Sequence, residues 1–187
     1  VVQIRSIEGR QASARRDGAL HLNSRGGAEV VIGQVEAARG MAVHGSVRAT
    51  RIECGGGGAI AQVFETAGEL QPGDVVRVND EGTRVQRVRK AHDPRVIGVV
   101  TDDPGLLGGG GVRSGTVAVA LYGVVSCRVL VDGAPIRAGD LLVASSVVGY
   151  AMRCEQDVPV APGVVLGKAL APLLSGRGTV LVLLGRG

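Results

Sequence analysis

The sequence predicts an all-β protein, and three features support this fold class. Glycine is abundant, with 31 residues in 187, and valine-rich stretches alternate with short polar turns. Continuous apolar runs such as VAVALYGVV and VLVLL are typical of strands that are buried on both faces. A Gly-Asp phrase occurs twice, each time ahead of a strand. With one Phe, two Tyr and no Trp, the core must be built from aliphatic side chains.

The two Gly-Asp phrases predict two related β-units in the downstream half of the chain. They read LQPGDVVRV at 70–78 and IRAGDLLVASSVVGYAM at 136–152, and each is followed by a strand with an internal glycine, VIGVV and VLGKAL. Glycine adopts backbone angles that other residues avoid, and an Asp carboxylate accepts hydrogen bonds from nearby N–H groups. We therefore expect the carboxylates to be structural turn clasps, not catalysts. The clasp residues are Gly73, Asp74, Gly139 and Asp140.

Residues 1–58 have a different pattern, with strands of five to seven residues separated by Gly or small polar residues. Strands this short bury too little surface to hold together alone. We expect them to form a triple-stranded β-shaft with two neighbouring copies, or else an array of coils that continues upstream. The predicted shaft core consists of Leu20, Leu22, Val30, Ile32, Val43 and Val47.

The glycine run 55–58 is the best candidate for a domain boundary. Four glycines pack little and cost conformational entropy, so they indicate a joint. The prediction is a β-shaft segment over 1–58 and a compact β-barrel or sandwich-like domain over 59–187. The chain begins with Val1, and we expect it to belong to a longer polypeptide.

Composition disfavours several classes of partner. The net charge of +4 comes almost wholly from scattered Arg residues, and few aromatic side chains are available to stack on bases, so no nucleic-acid partner is expected. No apolar run approaches the roughly 20 residues of a membrane helix, so no membrane insertion is expected. Three cysteines lie far apart in no metal-binding spacing, which favours buried free thiols. They are Cys54, Cys127 and Cys154.

Two groups of residues could carry hydrolytic chemistry. Ser145 and Ser146 with Lys168 are the nearest approach to a Ser-Lys dyad, which would need hydrogen-bond contact with a neutral lysine. Serines ahead of a turn ordinarily bond their own backbone. His92 and Asp93 could be a base and its orienter, but adjacent residues of an extended chain point opposite ways. The structural interpretation is favoured for both groups, and no catalytic residue is assigned.

The remaining candidates for ligand binding have simpler explanations. His21 and His44 could form a three-histidine metal ring in a trimer, but solvent-facing histidines are far commoner. The glycine loop 105–111 lacks the Lys and Ser/Thr of a phosphate-binding loop and is interpreted as a mobile surface loop. No metal and no cofactor are therefore expected.

Several phrases in order carry a resemblance to a known class of protein. GALHLNSRGGAEVVIGQ followed by GMAVHGSVRATRI resembles the end of the shaft in phage tail fibres, tail spikes and bacterial β-helical surface proteins. The later phrases are similar to the C-terminal β-domain that follows such shafts: LQPGDVV, DPRVIGVVTDDPG, VAVALYGVVSCRV, IRAGDLLVASSVVGYAM, GVVLGKAL and GTVLVLL. The resemblance implies a homotrimeric fibre or spike tip on a virion or a cell surface. Its implied partners are a cell-surface polymer or other fibre or baseplate proteins.

These observations predict a non-enzymatic protein that drives homotrimer assembly and sets the register of a shaft. Two alternatives stay open. Some members of the fibre class that this sequence resembles are self-cleaving intramolecular chaperones, although no cleavage motif is matched here residue by residue. A glycan-binding or receptor-binding tip would use loop 102–115 together with the few aromatic side chains, Phe64, Tyr122 and Tyr150.

Overall fold

The computed structural model describes residues 47, 49, 51–54, 57–155 and 161–185. The chain divides into two compact units, Val1–Arg51 and Ile52–Gly187, and the fold given below is that of the second. Of the predicted shaft core, Leu20, Leu22, Val30, Ile32 and Val43 lie outside the described residues. Val47 is described and its exposed fraction is 59%. The predicted shaft and the boundary at residue 58 stay predictions.

Ten strands make up the described part of the second unit, which contains no helix. The prediction of an all-β fold is confirmed over these residues. In the same part of the chain, no helix has the length and apolar character needed to cross a membrane. The strands are β1 Ala59–Glu65, β2 Val75–Val78, β3 Val85–Arg87, β4 Val96–Val100, β5 Leu106–Gly108, β6 Thr116–Leu130, β7 Leu141–Ala144, β8 Ala151–Arg153, β9 Val165–Ala169 and β10 Arg177–Leu184.

Five of the strands close into a barrel in the order β6, β10, β9, β7, β8 and back to β6. The closure depends on the 15-residue length of β6, because β6 pairs with β10 over 123–130 and with β8 at Val129. The other half of β6 carries β4 on one side and β1 on the other, and β4 leads to β2 and β3. A single long strand therefore joins the barrel to a second, open layer.

The two predicted β-units are present and have the same strand pairing. In the first unit β2 pairs antiparallel with β3 and β4, and in the second unit β7 pairs antiparallel with β8 and β9. Val76 lies opposite Gly98 and Leu142 lies opposite Gly167, with a register shift one step later in both units. The return strands correspond as well, since GTVAVAL of β6 and GTVLVLL of β10 pair with the glycine-containing strands.

The internal glycines of β4 and β9 are required by close packing, not by backbone angle. A side chain on Gly98 would meet the carbonyl oxygen of Ala120, and one on Gly167 would meet that of Leu183. These contacts are with backbone atoms, which cannot turn aside as a flexible side chain could. Glycine is therefore needed where each unit meets its return strand.

The core is aliphatic, as the composition predicts. Along β10 the buried positions Val180, Val182 and Leu184 alternate with exposed ones, which gives the strand an inner and an outer face. The largest fully buried side chains include Ile136, Leu142 and Leu184, and they belong to one cluster that extends from the barrel strands into the first β-unit.

Candidate functional site

Both Gly-Asp turns form the same clasp. The Asp74 carboxylate accepts a hydrogen bond from the Gln71 N–H at 2.8 Å, and the Asp74 N–H donates to the Gln71 carbonyl at 3.0 Å. In the second unit Arg137 and Asp140 repeat these bonds at 2.8 and 3.1 Å. The glycine ahead of each aspartate has a positive φ, 87° at Gly73 and 91° at Gly139, which other residues rarely adopt.

Each clasp fastens the start of one strand to the end of another. The Gly73 N–H donates to the Val100 carbonyl at 2.8 Å, and the Val100 N–H donates to the Asp74 carbonyl at 2.9 Å. Gly139 and Asp140 make the same pair of bonds with Ala169, at 2.7 and 2.9 Å. Each carboxylate thus accepts a hydrogen bond within its own turn, and each turn is bonded to the end of the glycine-containing strand.

The two aspartates differ in their surroundings. Asp74 is fully buried and accepts hydrogen bonds from Arg87 Nε at 2.6 Å and Arg128 Nη1 at 2.9 Å. The Asp140 side chain is 14% exposed, and Arg153 Nε lies 3.0 Å from it as an ion pair that lacks the alignment of a hydrogen bond. Arg87 and Arg153 occupy equivalent positions in the two units, since they lie opposite Val76 and Leu142.

Arg128 is the additional partner of the first clasp. Its hydrogen bond to Asp74 raises the pKa of the guanidinium above the usual value. A second nitrogen, Nη2, donates to the Tyr150 hydroxyl at 3.2 Å, and the guanidinium carbon lies 4.9 Å from the centre of that ring. Because Arg128 belongs to β6 and Tyr150 to the β7–β8 turn, this network joins the two β-units.

The serine and lysine of the suggested dyad are not brought together. Ser145 is buried, and its hydroxyl accepts from the Val147 N–H at 2.8 Å and donates to the Val147 carbonyl at 3.2 Å. Lys168 is exposed on β9 and lies opposite Leu141, at the far end of β7 from Ser145. The serine therefore bonds its own turn, as in the structural interpretation.

His92 and Asp93 also have separate surroundings. The Asp93 carboxylate accepts from the Arg95 N–H at 3.0 Å and from Arg77 Nη1 at 3.4 Å. His92 has a φ of 54°, and its buried Nε2 atom has no hydrogen-bond partner among the described residues. Asp93 therefore closes a turn, and the pair does not form the hydrogen bond of a base and its orienter.

The described thiols and the other described candidate ligands are not grouped into a metal centre. Burial raises the pKa of Cys127, with a further contribution from Asp74, and burial also raises the pKa of Cys154. Cys54 is exposed. Among the described residues no group of three or more His, Cys, Asp or Glu side chains is arranged to hold a metal ion. His21 and His44 lie outside those residues.

The glycine loop contains more structure than the sequence indicates. Leu106–Gly108 form β5, which pairs parallel to β1, and the Gly105 N–H donates to the Ala59 carbonyl at 2.9 Å. A three-residue strand that contains glycine has too short a pattern to be recognised in the sequence. The expectation of a wholly mobile loop is wrong over these three residues.

An apolar patch occupies part of the outside of the barrel, and we call it the outer apolar face. Cross-strand neighbours on antiparallel strands share one side of a sheet. Leu141, Lys168, Leu183 and Val124 are such neighbours across β7, β9, β10 and β6. Further exposed apolar side chains adjoin this row. They are Leu170, Leu181 and Tyr122. Lys168 is the one charged side chain among these seven residues.

Two hollows lie beside this face. A cleft of about 280 Å³ runs between Leu181 and the acidic turn formed by Asp102 and Asp103. Beyond the cleft is a pocket of about 460 Å³ with mainly apolar walls, which we call the Leu70 pocket. The pocket is lined by Leu70, Pro72, Val100, Thr101, Asp102, Pro104, Leu107, Val112, Val117 and Ala118. No sequence pattern marks it, because its walls come from four separate segments.

Comparison with known proteins shows a likeness of fold. No protein-family model matches this chain, and no curated protein sequence matches it. The pre-mature bacteriophage phi29 gene product 12 is similar in structure, with a TM-score of 0.55 and 16% identity, over 77% of this chain and 24% of that chain. A C-terminal fragment of the same phage protein aligns with a TM-score of 0.47 and 15% identity, over 67% of this chain and 99% of that fragment.

This chain therefore spans about a quarter of the length of the phage protein that it matches. At 16% identity the likeness concerns the arrangement of strands and not the residues of a site. The all-β domain described here thus has a fold also found in a phage protein.

Proposed function

We propose that this chain is the terminal segment of a phage fibre or spike, and that it assembles as a homotrimer and fixes the register of a β-shaft. The fold likeness to a phage protein supports the fibre setting. The observation that carries the assembly role is the outer apolar face. Its row of Leu141, Leu183 and Val124 is interrupted only by Lys168.

A contiguous apolar surface with little charge is typical of an interface between subunits. Burial of apolar area contributes roughly 25 cal/mol per Å², so a few leucines per subunit supply much of the energy of association. Lys168 can lay its methylene chain along the apolar surface while its ammonium group reaches solvent. The face is thus suited to packing against another copy.

The register of a long β-shaft is weakly specified, because a slip of two residues preserves its pattern of inward and outward side chains. A rigid barrel that packs with two copies in one arrangement would remove this ambiguity. It would also cover strand edges that could otherwise pair with other chains. The clasps contribute by holding β2 to β4 and β7 to β9 in fixed register.

The test is the mass of the purified chain in solution, measured by light scattering, for the wild type and a Leu183→Asp variant. The wild type is expected at three times 19.0 kDa. The Leu183 side chain is 41% exposed, so the substitution leaves the fold intact but places a charge in the interface. We expect that variant to be a monomer with the far-ultraviolet circular dichroism of the wild type.

The matched control is Val148→Asp, because Val148 is 47% exposed and does not belong to the outer apolar face. This variant is expected to retain the trimer. A wild-type monomer would overturn the proposed function. Equal loss of the trimer in both variants would show that the outer apolar face is not the interface. An unheated denaturing gel of the same samples also tests self-cleavage, which would give two bands.

A further inference from the structure

The two β-units differ at one pair of equivalent positions, Leu70 and Ile136, which precede the two clasps. Ile136 is fully buried, and its N–H and carbonyl bond with those of Leu173 at 2.9 and 3.0 Å. Leu70 is half-buried, and its backbone N–H and carbonyl form no hydrogen bond in the described part of the chain. Within the described residues, the first unit therefore has no counterpart of the bridge between Ile136 and Leu173.

A second pair of equivalent residues, Gly115 and Gly178, also differs in its surroundings. A side chain on Gly178 would meet Leu173 Cδ1 at 3.0 Å, whereas one on Gly115 would meet no described residue within 4 Å. Val180 is buried, while its equivalent Val117 is half-buried and lines the Leu70 pocket. The Leu70 pocket is thus the counterpart of the place that Leu173 occupies in the second unit.

The reason for the difference is the path of the chain after the glycine-containing strand. After β9 the chain turns back at once, so that Leu173 bridges to Ile136. After β4 it runs outward to form β5, which pairs with β1 instead. The pocket is left with apolar walls and a free backbone edge at Leu70, the two features that an extended segment carrying a leucine would recognise.

One segment of this chain has the complementary features. Leu174 is the most exposed large apolar side chain of the described residues, at 74%, and its backbone makes no hydrogen bond there. Successive residues of an extended chain direct their N–H and carbonyl groups to opposite sides. Since Leu173 uses one side to bond Ile136, the groups of Leu174 point away, toward any neighbour.

The charges near the two partners are opposite. Asp102 lies at the rim of the Leu70 pocket, and its carboxylate has no ion-pair partner within the described residues. Arg177 follows Leu174 by three residues and is exposed. The pocket is also continuous with the outer apolar face, because the cleft of about 280 Å³ shares Pro72 and Asp102 with the pocket and reaches Leu181.

We propose that the Leu70 pocket of one copy receives Leu174 of the next copy. The backbones of Leu70 and Leu174 would form an antiparallel bridge of the kind that Ile136 and Leu173 form within each chain. This inference rests on the proposed homotrimer and names a contact within it. The contact joins two different surfaces, so it is heterologous, and three copies can close it into a ring.

The test is a disulfide cross-link between the pocket rim and the inserted segment. Val112 lines the pocket and is exposed, so the pair is Val112→Cys with Ser175→Cys, which keeps Leu174 in place because Ser175 is the exposed residue next to it. Both are placed in the 187-residue chain that carries Cys54→Ser to remove the exposed native thiol. Under mild oxidation the double variant is expected to give linked dimers and trimers, and no larger species, on a non-reducing denaturing gel. Each single-cysteine variant is the control and is expected to stay unlinked.

A second variant measures the contact without a cross-link. Leu174→Ser alters only an exposed side chain, and we expect it to raise the dissociation constant of the trimer by about tenfold or more, as for a buried apolar anchor. Val148→Ser is the matched control, with no change expected.

The outcomes separate this inference from the proposed function. A wild-type chain of trimer mass whose double variant does not cross-link would overturn the pocket contact and leave the trimer standing. Cross-linking by Ser175→Cys alone would also overturn it, since like positions would then meet. A wild-type monomer would overturn both.

Discussion

The buried Asp74 allows the most direct test of how the β-units are held together. Replacement by alanine removes the acceptor of three hydrogen bonds, from the Gln71 N–H, Arg87 Nε and Arg128 Nη1. Hydrogen bonds to a charged group contribute about 1.5–3 kcal/mol each, but the losses do not add. Breaking a buried ion pair costs about 3–5 kcal/mol when the remaining charge cannot reach water.

The two arginines are 30% and 32% exposed, so they regain some hydration when the carboxylate is lost. We therefore expect Asp74→Ala to lower the free energy of unfolding by about 3 kcal/mol, near the bottom of that range. Asp140→Ala is the matched comparison, because Asp140 is partly exposed and binds one arginine. Its cost is expected to be about 1–2 kcal/mol.

The assay is urea denaturation of both variants at one protein concentration, since the measured stability of an associating protein depends on its concentration. Asp74→Asn separates charge from shape: asparagine can still accept from the Gln71 N–H but leaves the arginines without their counter-charge. It is expected to lie between the wild type and Asp74→Ala. An Asp140→Ala cost equal to or larger than that of Asp74→Ala would refute the reasoning.

Three further predictions concern the core and the turns. Burial raises the pKa of the Cys127 thiol in the folded protein. Above about pH 8.5 the thiol therefore loses its proton only in the unfolded chain. As a result, this one group should lower the free energy of unfolding by about 1.4 kcal/mol for each further pH unit. Between pH 9 and 10 the free energy of unfolding of Cys127→Ala should therefore fall less steeply with pH than that of the wild type. Equal slopes for the two proteins would contradict the prediction. Gly98→Ala should cost about 1–3 kcal/mol through its contact with backbone, whereas Gly68→Ala, with open space around it, should change the urea midpoint little. Ser145→Ala should lower the free energy of unfolding by about 1 kcal/mol, because the Val147 N–H loses its acceptor. The wild type and the variant should both give one uncleaved band on a denaturing gel. Two bands for the wild type and one band for the variant would establish the self-cleaving alternative.

The parts of this fold that the sequence predicts depend on local chemistry. A glycine of positive φ followed by an aspartate that accepts its own turn's N–H can be recognised within four residues, and Gly73–Asp74 and Gly139–Asp140 both have this geometry. The repeated strand with an internal glycine is likewise visible as a phrase. These local signals are therefore sufficient to predict two β-units from the sequence alone.

The parts that could not be predicted depend on contacts between distant segments. Arg128 reaches Asp74 across 54 positions of sequence, and nothing near either residue indicates the other. The apolar run of β6 suggests buried strand but not that one strand spans barrel and open layer. In the same way, the short β5 has no pattern of its own and is held by its pairing with β1.

The equivalence of the two units gives the differences between them a meaning that a single copy would lack. In the second unit Ile136 is hydrogen-bonded to Leu173, whereas the equivalent Leu70 of the first unit lies beside a pocket and makes no backbone hydrogen bond with the described residues. The residue after Leu173 is the exposed Leu174. A fold that satisfies a site internally in one unit shows what chemistry the open site in the other unit would accept. The open site and the exposed Leu174 lie on the same chain, so the contact proposed between copies needs no second kind of subunit, and a contact between two different surfaces can close into a ring.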